Sequence, residues 1–321
     1  MAYSAGDTIL DDEYNAFVNN SSDPFGFNHF AGTGSTIYGL GESAIATVSA
    51  GDTVAASSWN SLFTGLDNIA NHTNTSITSS SVSAGDTIAI RSALISDLAN
   101  LAAAVAAGST NATALTTSSS LQTITTASEG WDSTATHEHS ITWATADRMR
   151  HFFNAGGKVR IVTSTTQSST SPKDQAYIDL GAALGNIDIG AHATTRSGSG
   201  ESLTTSGLAN GFHDLGTSYT SLIKLTTDNA NYTDNNIELF AKLNAAVGSA
   251  VTLVIKMVAT DGANDTQFDS GNTSGIAVDI KNTPKMVTNI FAITPNTNEG
   301  LTTSPTHASV GNEGNANGTT T

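Results

Sequence analysis

The sequence predicts an α+β protein in which N-terminal turn–helix repeats precede a mainly antiparallel, sandwich-like β domain. Three observations carry this. One short phrase occurs three times, as Ser4-Ala-Gly-Asp-Thr-Ile9, Ser49-Ala-Gly-Asp-Thr-Val54 and Ser83-Ala-Gly-Asp-Thr-Ile88. Apolar residues at helical spacing follow the second and third copies. Beyond about residue 129, short alternating runs are separated by Asn, Asp and Gly turns, the pattern of antiparallel strands.

Each repeat reads as an extended lead-in, a tight turn and an amphipathic helix. Gly-Asp-Thr is turn chemistry, because Gly accepts positive φ and the Asp and Thr oxygens bond nearby amides. Tyr14, Asn15 and Phe17 stand at the same offsets from Gly6 as Trp59, Asn60 and Leu62 do from Gly51. In the second unit Ser57 or Ser58 is the expected N-cap. Trp59, Leu62, Phe63, Leu66, Ile69 and Ala70 then form one helical face. The third unit loses the aromatic and continues through Leu94, Ile95, Leu98 and Leu101. Tyr14, Phe17, Trp59, Leu62, Leu94 and Leu98 are the expected repeat core. Repeats bury their apolar faces against neighbours, so residues 1–107 are assigned to attachment and oligomerisation.

Residues 108–128 are a polar Thr/Ser-rich connector, either a linker or an edge strand. A β-rich body spans 129–301. It opens with a strand over Thr136–Trp143 and a helix over 144–153. Asn154-Ala-Gly-Gly157 ends that helix with left-handed capping chemistry, and a strand leaves at Lys158–Thr163. A short helix is expected at Tyr177–Leu184. Strands are expected at Ser218–Thr226, Asn236–Asn244, Val251–Ala259 and Val287–Ile293. The polar, low-complexity tail, 302–321, would be disordered alone.

Composition narrows the function classes. A chain of 321 residues has room for two or three domains. Only 12% of residues are charged, about half the share usual in soluble domains. A surface of hydroxyls and amides is typical of extracellular β-proteins, adhesins and virus-particle proteins. The net charge of −16 argues against a nucleic-acid partner, which requires clustered Lys and Arg. With no cysteine there is neither a disulfide nor a thiolate nucleophile. No signal peptide or membrane-length apolar run is read, so no membrane partner is expected and synthesis as a soluble cytoplasmic chain is.

No catalytic or cofactor-binding residue is assigned, and the chain is expected not to be an enzyme. Phosphate-loop, His-Glu-x-x-His and nucleophile-elbow motifs are missing. Asp174, Asp179 and Asp188 are carboxylates that only a fold would bring together. His137 and His139 alternate on one strand and are weak metal candidates, solvent exposure beside Glu138 being the competing expectation. Asp261, Asn264, Asp265 and Asp269 gather oxygen ligands as calcium loops do, without EF-hand spacing or a closing Glu. Trp59, Trp131 and Trp143 are expected to be buried anchors rather than a sugar-binding surface.

Three passages resemble structural (tail- or fibre-type) virion proteins of tailed bacteriophages that infect marine bacteria such as cyanobacteria. They are Phe27-Asn-His-Phe-Ala-Gly-Thr-Gly-Ser-Thr-Ile-Tyr-Gly-Leu-Gly41, Val48-Ser-Ala-Gly-Asp-Thr-Val-Ala-Ala-Ser-Ser-Trp-Asn60 and Ala146-Asp-Arg-Met-Arg-His-Phe-Phe-Asn-Ala-Gly-Gly-Lys-Val-Arg-Ile161. The resemblance lies within residues 1–161 and brings no catalytic residues with it. It implies a particle component that assembles with itself and with other virion proteins and resides in the virion. A closed homo-oligomer, with a trimer favoured, is expected. Phe25, Phe27, Phe30 and Tyr38, aromatics in a Gly-rich insertion, are the expected subunit contacts. The competing classes are an adhesin binding a host-surface glycan, a polysaccharide depolymerase and a capsid decoration protein.

Overall fold

The computed structural model describes residues 11–35, 37–83, 91–126, 131, 133–166, 172–229, 232–262, 266–267, 278–279, 285–296, 301, 306–316 and 318–320. The first phrase of the repeat and all but Ser83 of the third lie outside them. Among the described residues there are six α-helices, two large antiparallel sheets and a small antiparallel pair of strands, Thr266–Gln267 with Val278–Asp279. The helices are α1 (Asp11–Asn19), α2 (Phe27–Phe30), α3 (Ala56–Thr73), α4 (Arg91–Ala106), α5 (Ala146–Asn154) and α6 (Pro172–Leu184). The strands are β1 (Leu115–Thr117), β2 (Gln122–Thr126), β3 (Thr134–Thr142), β4 (Lys158–Thr166), β5 (Asn186–Ile189), β6 (Thr194–Arg196), β7 (Ser202–Ser206), β8 (Thr220–Thr226), β9 (Asn236–Leu243), β10 (Thr252–Thr260), β11 (Thr266–Gln267), β12 (Val278–Asp279), β13 (Lys285–Pro295), β14 (Ser309–Ala316) and β15 (Gly318–Thr320).

The chain forms two compact units, neither of them one consecutive stretch. Met1–Thr116, Thr145–Gly157 and Thr294–Thr306 make the first; Thr117–Ala144, Lys158–Ile293 and His307–Thr321 make the second. This corrects the expected boundaries. Helix α5 leaves the β-rich stretch and joins the N-terminal unit, because its hydrogen-bond partners lie there.

The first unit packs its helices around one apolar core. Helix α3 contributes Trp59, Leu62, Phe63, Leu66, Ile69 and Ala70, and α4 contributes Leu94, Leu98, Leu101, Ala102 and Val105. Both sets follow the 3.6-residue period that gives a helix one apolar face. Helix α3 starts one residue ahead of the expected cap, with Ala55 at the N-cap and no side-chain bond there; it ends on Asn74 in the left-handed conformation. Acidic Asp11, Asp12 and Glu13 fill the first turn of α1, where the helix dipole favours negative charge. Tyr14 meets Trp59 edge to face at 5.2 Å, and its hydroxyl donates to the Ser58 carbonyl at 3.1 Å. Each is the fourth residue of its helix.

Between these helices the chain runs extended, without helix or strand, over 38–49 and 75–83. Helix side chains hold these segments by their backbones. Asn15 donates to the Val48 carbonyl and accepts from the Val48 amide, both at 2.9 Å. Asn60 binds Val82 in the same way, at 2.9 and 2.8 Å, and Asn28 binds Ile45 at 2.9 and 2.8 Å. One planar amide thus serves as a one-residue β-strand partner. Buried Asp97 of α4 adds a further anchor, accepting from the amides of Thr78 (3.1 Å) and Ser79 (2.8 Å). After Val48 the turn closes through Asp52 N–H to the Ser49 carbonyl at 3.0 Å, with Gly51 at φ 86.

The second unit is β-rich. One sheet runs β15-β2-β13-β4-β5-β6 with β1 also on β13; the other runs β14-β3-β10-β9-β8-β7. Strands β8, β9 and β10 alternate buried and half-buried positions along most of their length. Strand β3 pairs with β10 over its full length, His137 opposite Met257 and His139 opposite Ile255. The connector stretch supplies β2, an inner strand with Ile124 wholly buried. The polar tail also supplies strands: β14 closes the edge of one sheet on β3, and β15 closes the other on β2. Backbone pairing to an open edge needs no apolar side chain, which is why composition alone misjudges this segment. Helix α6 packs on β4 and extends upstream of the expected Tyr177 start to Pro172.

Replacing Trp59 by Ala should lower the stability of the first unit by about 3–5 kcal/mol, read from denaturant unfolding. Asn60→Ala should cost about 1–3 kcal/mol by leaving the Val82 amide and carbonyl without partners. Equal midpoints for Asn60→Ala and the parent protein would show that the amide clamp adds nothing.

Candidate functional site

The insertion between α1 and α3 and the distant helix α5 meet in the first unit. The insertion folds back on itself after α2. Gly39 N–H donates to the Phe30 carbonyl at 2.8 Å, Leu40 N–H to Ala31 at 3.0 Å and Gly41 N–H to Gly32 at 2.9 Å. These amides satisfy the carbonyls that the short helix leaves open. Gly39 has φ 99, and a Cβ there would stand 2.4 Å from the Thr33 oxygen, so the turn requires glycine.

Helix α5 begins with the Thr145 hydroxyl accepting from Arg148 N–H at 3.2 Å and ends at Asn154. Asn154 Nδ2 donates to the Tyr38 carbonyl at 2.8 Å and the Gly39 carbonyl at 3.1 Å. The Arg150 guanidinium donates to the Thr33 carbonyl and pairs with Asp147 at 3.3 Å. Beside it, burial and the Arg150 charge push the His151 pKa down to about 4, so this imidazole is neutral near pH 7. His72 of α3 meets the Ala155 carbonyl at 3.0 Å just past the helix. The contacts of Asn154, Arg150 and His72 with the residues outside the helix read carbonyl oxygens, which positions one segment on another.

The expected assembly aromatics divide. Phe27 and Phe30 are buried in the chain's own core, at 3% and 0% exposure, which leaves them no surface for a neighbour. That part of the expectation is corrected: the aromatics of the insertion fill the space between α1, α3 and α4. Phe25 and Tyr38 are half-buried at the surface. Phe25 stacks on His29 with ring centres 4.4 Å apart and lies 4.9 Å from Tyr38. The repeat-core residues Tyr14, Phe17, Trp59, Leu62, Leu94 and Leu98 are all buried in the same core.

The weak metal candidates are differently occupied. His137 and His139 are buried at 0% and 1% exposure, which corrects the solvent-facing expectation. His137 Nδ1 lies 2.8 Å from Thr288 Oγ1, His139 Nε2 3.1 Å from the same oxygen, and His139 Nδ1 2.6 Å from Gln122 Oε1. Burial pushes their pKa values down to about 4 and about 3, the second also through the His137 charge. Asp261 is bound to the Lys173 ammonium at 2.6 Å, both side chains 1% exposed, which corrects its reading as a calcium-loop ligand. Asn264, Asp265 and Asp269 lie outside the described residues. Among the described residues no group of three or more His, Asp or Glu is placed to hold a metal ion.

The remaining candidates also find structural surroundings. Asp188 receives a two-pronged hydrogen bond from Arg160 at 2.7 and 2.8 Å, Asp179 accepts from Gln175 at 2.8 Å, and Asp174 is buried. Trp59, Trp131 and Trp143 are no more than 2% exposed. A groove of about 560 Å³ lies in the first unit between α3 and residues 42–45, lined by Phe27, Glu42, Ser43, Asn60, Ser61, Thr64 and Asn68 among others. Glu42 is the only ionisable group among its lining residues, so the groove offers hydroxyls and amides rather than acid–base chemistry. No helix among the described residues is long and apolar enough to cross a membrane.

Sequence reasoning missed the clamping asparagines. The signal was present for Asn15 and Asn60, which recur at one offset from the repeated glycine; Asn28 and Asn154 have no such marker. It also missed the Lys173–Asp261 pair, whose members are 88 positions apart (261 − 173).

Asn154→Ala should destabilise the first unit by about 1–3 kcal/mol through the unpaired Tyr38 and Gly39 carbonyls, measured by chemical unfolding. Lys173→Met should cost about 3–5 kcal/mol by stranding the Asp261 carboxylate, and adding Asp261→Leu should recover part of that loss. A double variant less stable than Lys173→Met would contradict this. Comparison of the chain with protein-family models, curated proteins and solved structures finds no match to any of them.

Proposed function

We propose that this chain is a structural component of a bacteriophage particle, associated with the tail or its fibres, that acts by homo-oligomeric assembly and attachment to neighbouring virion proteins. The observation that carries this reading is the contact between the insertion and α5. Two of the three passages that resemble phage virion proteins are far apart in sequence, yet they interlock through Asn154 and Arg150 on the backbone of residues 33–39. Such an arrangement positions one segment on the other through backbone carbonyls, which supports a structural reading.

The shared hydrogen bonding of Asn15 and Asn60 supports the reading of the first and second phrases as duplicated turn–helix units. In each, the asparagine holds the valine that directly precedes the next copy of the phrase. The contacts of β3 side chains with β13 and β2 support a sandwich-like arrangement of the second unit. Phe25 and Tyr38, half-buried and adjacent, are the surface aromatics left for a neighbouring subunit.

The test is composition of the particle. Mass spectrometry and antibody labelling of gradient-purified particles from the genome that encodes this chain should find it as a multicopy component. Its absence from intact particles would overturn the proposal. Light scattering of the purified chain should give a closed oligomer, with a trimer expected; a monomer both in solution and in the particle would remove the assembly role. Incubation with host-surface polysaccharide should release no reducing ends. Steady release abolished by a single carboxylate substitution would move the protein to the enzyme class.

A further inference from the structure

In the second unit, the only described titratable groups on the buried face of β3 are two histidines joined through one hydroxyl. With Gln122 Oε1 as acceptor, His139 Nδ1 carries the proton and Nε2 is a bare acceptor. The Thr288 hydroxyl then donates to His139 Nε2, and its oxygen accepts from His137 Nδ1–H. His137 Nε2, the far end of this relay, is buried and makes no hydrogen bond among the described residues. With one proton on each ring, the other three ring nitrogens and the Thr288 hydroxyl all have partners.

A further proton has no favourable place. Added to His137 it sits on Nε2 as a buried N–H without an acceptor. Added to His139 Nε2 it displaces the Thr288 proton: the hydroxyl oxygen either accepts from both rings and leaves its own O–H to turn away from them, or it turns toward His137 Nδ1 and that ring's proton moves to the same Nε2. Either way an orphaned donor and a charge are created together, the costly combination in a protein interior.

Among the described residues no opposite charge faces the pair to offset this. Across from it stand Thr288, Met286 and Ile290 of β13 and Gln122 and Ile124 of β2. On the flanking strands, Met257 and Ile255 of β10 and Asn315 and Asn312 of β14 lie opposite the histidines. Thr163 of β4 bonds Met257 Sδ at 3.3 Å. Glu138, Lys256, Lys285 and Arg160 of these strands fall at positions that alternate to the opposite faces, and Glu313 is exposed at the β14 bulge. The lowered pKa values of both rings agree with a site that burial keeps neutral.

We propose that the His137–Thr288–His139–Gln122 relay is an acid-released latch that ties β3 to β13 and β2 at neutral pH and lets them part when the histidines are protonated. The sign follows from linkage. The unfolded chain protonates both rings near their ordinary pKa of about 6.5, and the native unit excludes both protons until far lower pH. The stabilisation is therefore full above about pH 6.5 and lost as pH falls toward 4. Each excluded proton lowers the folding equilibrium by up to about tenfold per pH unit, so the pair lowers it by up to about a hundredfold.

The experiment uses the full-length protein and a His137→Gln/His139→Gln variant, which is neutral at every pH. Samples equilibrated between pH 7.5 and 4 are pulse-labelled with deuterium at one fixed pH, and the β3 and β13 peptides are read by mass spectrometry. The parent should lose protection in these strands steeply below about pH 6, and the variant should lose it with a shallower dependence. Equal pH dependence in both would overturn the latch. Should the variant fail to fold, nitrogen-detected imidazole NMR of the parent decides. Two native rings with Nδ1–H tautomers that do not titrate down to the acid transition support it, and ordinary titration near pH 6.5 sinks it.

Discussion

Three asparagine amides, those of Asn15, Asn28 and Asn60, hold the first unit together by bonding both the N–H and the C=O of a single residue in an extended segment. Without them Val48, Ile45 and Val82 would each leave two backbone groups in need of partners beside an apolar core. A helix cannot pair with a strand through its own backbone, because its amides are consumed internally. A side-chain amide presents one donor and one acceptor in a plane, as a strand does. It therefore lets extended chain lie on a helix without a sheet. The positions of Tyr14, Trp59 and Phe27 follow from this, since each fills the space behind a pinned segment.

The same economy recurs in the contact with α5. Asn154 and Arg150 bind carbonyls of the insertion, so the fit depends on the path of the loop and hardly on its side chains. Gly39 is needed because that path brings the backbone against Thr33. A protein with 12% charged residues has few ion pairs to spend, and amide-to-backbone bonds give it directional contacts that salt screens little.

The second unit buries a matched pair of charges. Lys173 and Asp261 neutralise each other at 1% exposure, joining α6 to the end of β10. The histidines between the sheets are handled in the opposite way, kept neutral by a hydroxyl and an amide. Buried pairs of this kind do more for the uniqueness of packing than for net stability, since apolar residues of like volume would be comparably stable. The polar tail makes a similar point from the other side. Strand β14 buries little, yet it closes an edge of its sheet on β3 through backbone pairing and the Asn315 side chain, and β15 pairs with β2 at the edge of the other.

Periodicity alone located α3, α4, α5 and strands β3, β4, β8, β9, β10 and β13, because apolar spacing is a local property that each element carries in its own residues. It also marked Tyr14 and Trp59 as members of the core and identified the recurrence of Asn15 and Asn60. What only the tertiary structure decided are relations between distant residues. The departure of α5 to the first unit rests on Asn154 finding carbonyls more than a hundred positions away. The burial of His137 and His139 rests on Gln122 of the preceding strand and on Thr288, which is 151 positions from His137. The strands of the tail depend on edges that exist only once the sheets have formed. Local pattern tells which face of an element is apolar; which surface covers that face is settled by the partners the whole chain supplies.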